Sequence, residues 1–172
     1  AESLDYSWWF CIKSGAKAPT IALLGNSYAN QLYPGFARNP KLDHHTILSI
    51  GTCNFVEIEV ADVRNPCFGE RQANQAHFID KIILESKTIQ FVVVDGLQKK
   101  PTIEYIERLR QRINRYEESG IQTIIFTPHI EPIFFHPKAC FTTPWRKVAK
   151  DCTFDESERS VLREDFQPLV ES

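Results

Sequence analysis

The chain predicts an α/β fold, a three-layer sandwich with helices on both faces of a mainly parallel sheet. Three observations carry this. Short apolar runs rich in β-branched residues recur, as strands buried on both faces require. Longer amphipathic stretches of helical period separate them. Glycine closes three of the four runs, at Gly25, Gly51 and Gly96.

Taken in order, residues 20–24 (Thr-Ile-Ala-Leu-Leu) and 46–50 (Thr-Ile-Leu-Ser-Ile) read as the first two strands. Residues 88–95 form the third, and residues 121–126 the fourth, ending at Thr127-Pro128. The turn after the first strand opens a short helix over 27–36. Ala76, Ile79, Ile82 and Ile83 mark a helix over 74–86. Ile103, Ile106, Leu109, Ile113 and Tyr116 mark another over 102–119, with Gly120 as its stop. Asp155, followed three residues later by Glu158, opens a helix over 155–170. Right-handed crossovers then build the sandwich. Residues 128–153, with Pro128, Pro132, Pro137 and Pro144, predict a long irregular loop.

Composition narrows the function classes. With 172 residues, 42% of them hydrophobic, one core is expected and disorder is excluded. No apolar run approaches the ~20 residues of a membrane span. The 20 basic and 22 acidic residues are mixed along the chain, so no basic stripe exists and nucleic acid is not an expected partner. The chain starts at Ala1 and contains no methionine, so it is expected to be a piece of a longer product.

Five cysteines, Cys11, Cys53, Cys67, Cys140 and Cys152, lie far apart with no C-x-x-C pair, so no metal site is expected. Three sit in loop-like sequence, which favours disulfides and an oxidising compartment. Cys140 with Cys152 is the preferred pair, and Cys11 or Cys53 with Cys67 are the alternatives. Cys53 also reads as a small buried hydrophobe.

Ligands of open α/β sheets bind beyond the carboxyl ends of the strands. Here that place is Gly25-Asn26-Ser27-Tyr28-Ala29-Asn30. A serine at a strand-to-helix turn holds its hydroxyl at the mouth of the sheet and its N–H toward an incoming anion. Ser27 therefore reads either as a nucleophile or as the cap of the helix it opens.

The run Leu23-Leu24-Gly25-Asn26-Ser27-Tyr28-Ala29 resembles the first block of the SGNH hydrolase and acetyltransferase superfamily. More narrowly, the chain resembles the C-terminal extracytoplasmic SGNH domain fused to bacterial membrane acyltransferases of family 3. Gly51-Thr52-Cys53-Asn54, Asn65-Pro66-Cys67, Val92-Val93-Val94-Asp95-Gly96 and Thr127-Pro128-His129 extend the likeness over nearly the whole chain. The resemblance implies one SGNH, flavodoxin-like domain over 1–172 on the periplasmic or cell-surface side, attached to a membrane domain. It implies that Ser27 transfers an acyl group, acetyl first among them, to a cell-surface glycan. The donor would be delivered by the membrane acyltransferase domain, ester hydrolysis would be a side reaction, and no cofactor is implied. A non-catalytic glycan-binding or accessory module is the alternative.

Three departures matter. Asn26 stands where the family usually has Asp, no Gly-x-Asn-Asp block follows the third strand, and the final Asp-x-x-His block is absent. The base and its carboxylate are therefore expected beyond Ser172, and the isolated chain is expected to be nearly inactive.

The N–H groups of Ser27 and Gly51 are the expected oxyanion donors, although Gly51 also reads as a plain strand-end turn. Asn54, Gly96 and His129 are candidate substrate contacts. His129, at a strand end, is also the histidine of this chain placed to act as a base. His44 and His45 fall at the opposite sheet edge, and His77 on a helix. Asp95 reads as a turn residue. Trp8, Trp9 and Phe10 read as core packing, with sugar stacking or a membrane-facing role as alternatives.

Overall fold

The computed structural model describes residues 10–128 and 156–170. It divides into two units, residues 1–126 and 127–172. The first unit runs β1 (Cys11–Lys13), β2 (Ile21–Gly25), α1 (Ser27–Ala37), a 3-10 turn at Pro40–Leu42, β3 (Ile47–Gly51), α2 (Arg71–Glu85), β4 (Phe91–Asp95), α3 (Ile103–Glu118) and β5 (Gln122–Ile125). In the second unit the described element is α4 (Glu156–Val170).

The sheet order is β1-β3-β2-β4-β5. The four expected strands pair in parallel, with Gly25 level with Gly51 on one side and Asp95 on the other. Strand alternation assigns the faces. Ile21, Leu23, Ile47 and Val93 pack with Ala29, Leu32, Tyr33 and Phe36 around α1. Ala22, Leu24, Val92 and Val94, all buried, point to the other face. The β3-to-β4 and β4-to-β5 connections run opposite to the β2-to-β3 connection, so right-handed crossovers set α2 and α3 on that second face. Ile79, Ile83, Leu109 and Tyr116 are buried on these helices.

Three expectations need correction. Strand β1, antiparallel to β3, was not anticipated; its three residues are all exposed, so no hydrophobic pattern marks it. Strand β5 is not buried on both faces but alternates exposed and half-buried residues, as one of the two edge strands among the described residues. Helix α2 starts at Arg71, earlier than expected, because Gln72 and Gln75 add buried polar positions to its apolar stripe.

Cys53 and Cys67 form a disulfide with Cα atoms 5.6 Å apart, which excludes the alternative Cys11–Cys67 pair. Cys11 is free and exposed. The preferred Cys140–Cys152 pair and the Pro-rich loop lie outside the described residues. With the half-cystines 14 positions apart in sequence, replacing both by alanine is expected to lower stability by about 3 kcal/mol. Urea unfolding of the double variant against the oxidised parent measures this.

Candidate active site

Ser27 is the first residue of α1, directly beyond the carboxyl end of the central strand β2, and it is exposed. The cap belongs to Asn26, whose Oδ1 accepts from the Tyr28 N–H at 3.0 Å. That corrects the capping alternative for Ser27 and leaves its hydroxyl unused by the helix. Because Ser27 opens the helix, its N–H has no carbonyl one turn back, and the helix dipole there favours negative charge.

The other end of the Asn26 amide explains the departure from Asp. Its Nδ2 donates to the Gly96 carbonyl at 3.2 Å, a bond an ionised carboxylate cannot make. Asn26 thus ties the serine turn to the loop after β4. Gly96 has φ 80°, and an added Cβ would lie 2.3 Å from Asn26 Oδ1. Gly25 has φ 150°, and its added Cβ would lie 2.1 Å from the Asp95 carbonyl oxygen. Both glycines let β2, α1 and the β4 loop meet this closely. Gly96→Ala should therefore lower stability by about 1–3 kcal/mol, read as a fall in Tm. Asp95 is buried and accepts from the Gly96 N–H at 2.6 Å, consistent with a turn residue.

The loop after β3 meets the turn on its other side, through the Thr52 N–H donating to the Gly25 carbonyl at 2.8 Å. Here the oxyanion expectation for Gly51 fails. Neighbouring N–H groups along a strand point to opposite sides. The Thr52 N–H faces β2, so the Gly51 N–H faces β1, where it donates to the Phe10 carbonyl at 2.8 Å. Phe10 also lies over Gly51, with ring carbons 2.7–3.1 Å from where a Cβ would sit. Asn54, half-buried, follows on the same loop.

His45 is half-buried at the amino end of β3, its Nδ1 2.9 Å from Thr20 Oγ1. Burial first, and then the neighbouring His44, hold it below the usual histidine value of 6.5. His77 is exposed on α2. Neither lies at the carboxyl edge of the sheet, and His129 is outside the described residues.

Sequence reading missed a buried charge network between α2 and α3. Asp80 Oδ1 accepts from Arg112 Nε at 2.9 Å, from Arg112 Nη2 at 2.6 Å and from the Tyr116 hydroxyl. Asp80 Oδ2 takes Arg115 Nη2 at 3.1 Å. Arg112 also donates to the Phe55 carbonyl and stacks 4.1 Å from the Phe55 ring centre. The signal was present, since both charged residues fall within apolar helical stripes. The network lines a groove of about 610 Å³, which does not include Ser27.

A family model described as SGNH domain (fused to AT3 domains) matches residues 2–171. No curated protein and no solved structure matches the chain. Among the described residues no helix is long and apolar enough to cross a membrane. A serine opening a helix beyond the central parallel strand agrees with that match, and the chain belongs to the family of SGNH domains fused to AT3 domains.

Proposed function

We propose that this domain transfers an acyl group, acetyl first among them, from a donor delivered by a membrane acyltransferase domain to a hydroxyl of a cell-surface glycan. The observation that carries the reading is the position of Ser27, exposed at the first turn of α1 with its capping duty taken over by Asn26.

In this mechanism Ser27 Oγ attacks the acyl carbonyl as its proton passes to a base. The negative charge of the tetrahedral intermediate falls on the carbonyl oxygen, stabilised by the Ser27 N–H and by Asn54 from the neighbouring loop, each such donor contributing roughly 3 kcal/mol. Departure of the donor's leaving group, which takes up a proton, gives acyl-Ser27. The glycan hydroxyl then attacks that ester, loses its proton and releases Ser27; water in its place gives hydrolysis. Gly96 borders the site through Asn26. No histidine among the described residues lies at this sheet edge, so the base comes from outside those residues. The chain works as a single extracytoplasmic domain of a longer membrane-anchored protein, an orientation favoured by the disulfide.

The test compares the acyl content of surface glycan in cells carrying the full-length protein or its Ser27→Ala variant. Acylation lost in the variant, with the protein still present and folded, supports transfer. Unchanged acylation leaves a glycan-binding or accessory module as the function of the domain.

A further inference from the structure

Residues 52–70, between β3 and α2, contain no helix or strand, yet Thr52, Cys53, Phe55 and Val56 are buried. Buried backbone groups in such a segment need partners, and two glutamines one turn apart on α2 supply them. Gln75, 1% exposed, donates from Nε2 to the Gly51 carbonyl at 3.2 Å and accepts at Oε1 from the Cys53 N–H at 2.8 Å. Gln72, also buried, accepts from the Ile58 N–H at 3.3 Å and donates to the carbonyls of Ile58 at 2.7 Å and Cys67 at 3.1 Å. The glutamines thus grip the backbone of both half-cystines.

The two grips differ in reach. Gln75 holds the residues on either side of Thr52, whose N–H bonds the Gly25 carbonyl two residues before Ser27. Gln72 holds the far end of the loop, joined to the residues beside the serine turn only through the Cys67–Cys53 disulfide and by no hydrogen bond of its own.

We propose that Gln75 is a positioning residue for acyl transfer, fixing the path of residues 51–54 beside the serine turn so that Asn54 faces the reacting carbonyl at Ser27. The proposal rests on the acyl-transfer reading above. Its chemistry suits glutamine, since one planar amide offers both a donor and an acceptor, whereas an ionised glutamate only accepts.

The test measures steady-state transfer by the full-length protein, per folded molecule. A misplacement of about 1 Å costs on the order of 100-fold in rate. Gln75→Met, which removes both bonds, is therefore expected to lower kcat roughly 100-fold with little change in KM. Gln75→Glu keeps the acceptor for Cys53 and is expected to lose about 10-fold, an intermediate loss of a partly held loop. Gln72→Met is expected to lower Tm while kcat stays within about threefold, because its bonds do not reach the serine turn.

If Gln75→Met fails to fold, Gln75→Glu decides. Wild-type kcat in the folded Gln75 variant, or equal loss in Gln72→Met and Gln75→Met, would overturn the positioning role alone. Equal activity of the parent and Ser27→Ala would overturn the acyl-transfer reading and the positioning role with it.

Discussion

Arg112→Ala is expected to lower the stability of the domain by about 3–5 kcal/mol, the range for removing one partner of a buried ion pair. Asp80 and Arg112 are 6% and 5% exposed, so the carboxylate left behind is largely out of water. Three donated bonds vanish at once, two to Asp80 and one to the Phe55 carbonyl, along with the stacking on the Phe55 ring. Arg115 cannot compensate, because its side chain is 57% exposed and bonds the other carboxylate oxygen. Arg115→Ala itself should cost less than about 1 kcal/mol. Urea unfolding of the two variants should separate them clearly, and similar small losses in both would show that the network does not hold α2 to α3.

The same network predicts an alkaline effect. Burial, more than any neighbouring charge, raises the Tyr116 phenol above its ordinary value of 10.0. The phenol's folded pKa is raised, so its contribution is fully present below pH 10 and is lost as pH rises above that value. Tyr116→Phe should flatten this decline while removing the hydroxyl bond to Asp80.

Ser27→Ala is expected to reduce transfer by the full-length protein by roughly 10⁴-fold or more, as removal of a nucleophile does elsewhere. Stability should stay within about 0.5 kcal/mol, because the side chain is exposed and the cap belongs to Asn26. The backbone N–H survives the substitution, so loss of activity would report the hydroxyl and not the oxyanion donor. Gly25→Ala makes the contrasting control, since its Cβ would meet the Asp95 carbonyl and damage the fold itself.

Much of the fold was legible because β2, β3 and β4 are buried runs closed by turn residues, and α3 has a regular apolar stripe. Strand β1 was not, since Cys11–Lys13 is short, exposed and held by backbone pairing alone. At the site, the sequence located the serine turn but not the division of labour within it. Whether Asn26 or Ser27 caps α1 depends on a bond reaching Gly96, 70 residues away. The direction of the Gly51 N–H depends on β1, which the sequence pattern concealed. Cys53–Cys67 was legible only as an alternative, because the two meet through a loop gripped by Gln72 and Gln75, a tertiary arrangement that local loop chemistry does not reveal. Asp80 and Arg112 could have been suspected from their places beside Ile79 and Leu109, positions where a charge needs a partner.

Acyl-Ser27 is the chemical event on which the proposed function stands. The most direct measurement supplies the full-length protein with its acyl donor, withholds the glycan acceptor, quenches at short times and maps peptides by mass. The account predicts one acyl group on the peptide containing Ser27, absent in Ser27→Ala and discharged when glycan is added. Glycan acylated at the normal rate by a protein whose Ser27 peptide never carries the acyl group would contradict it.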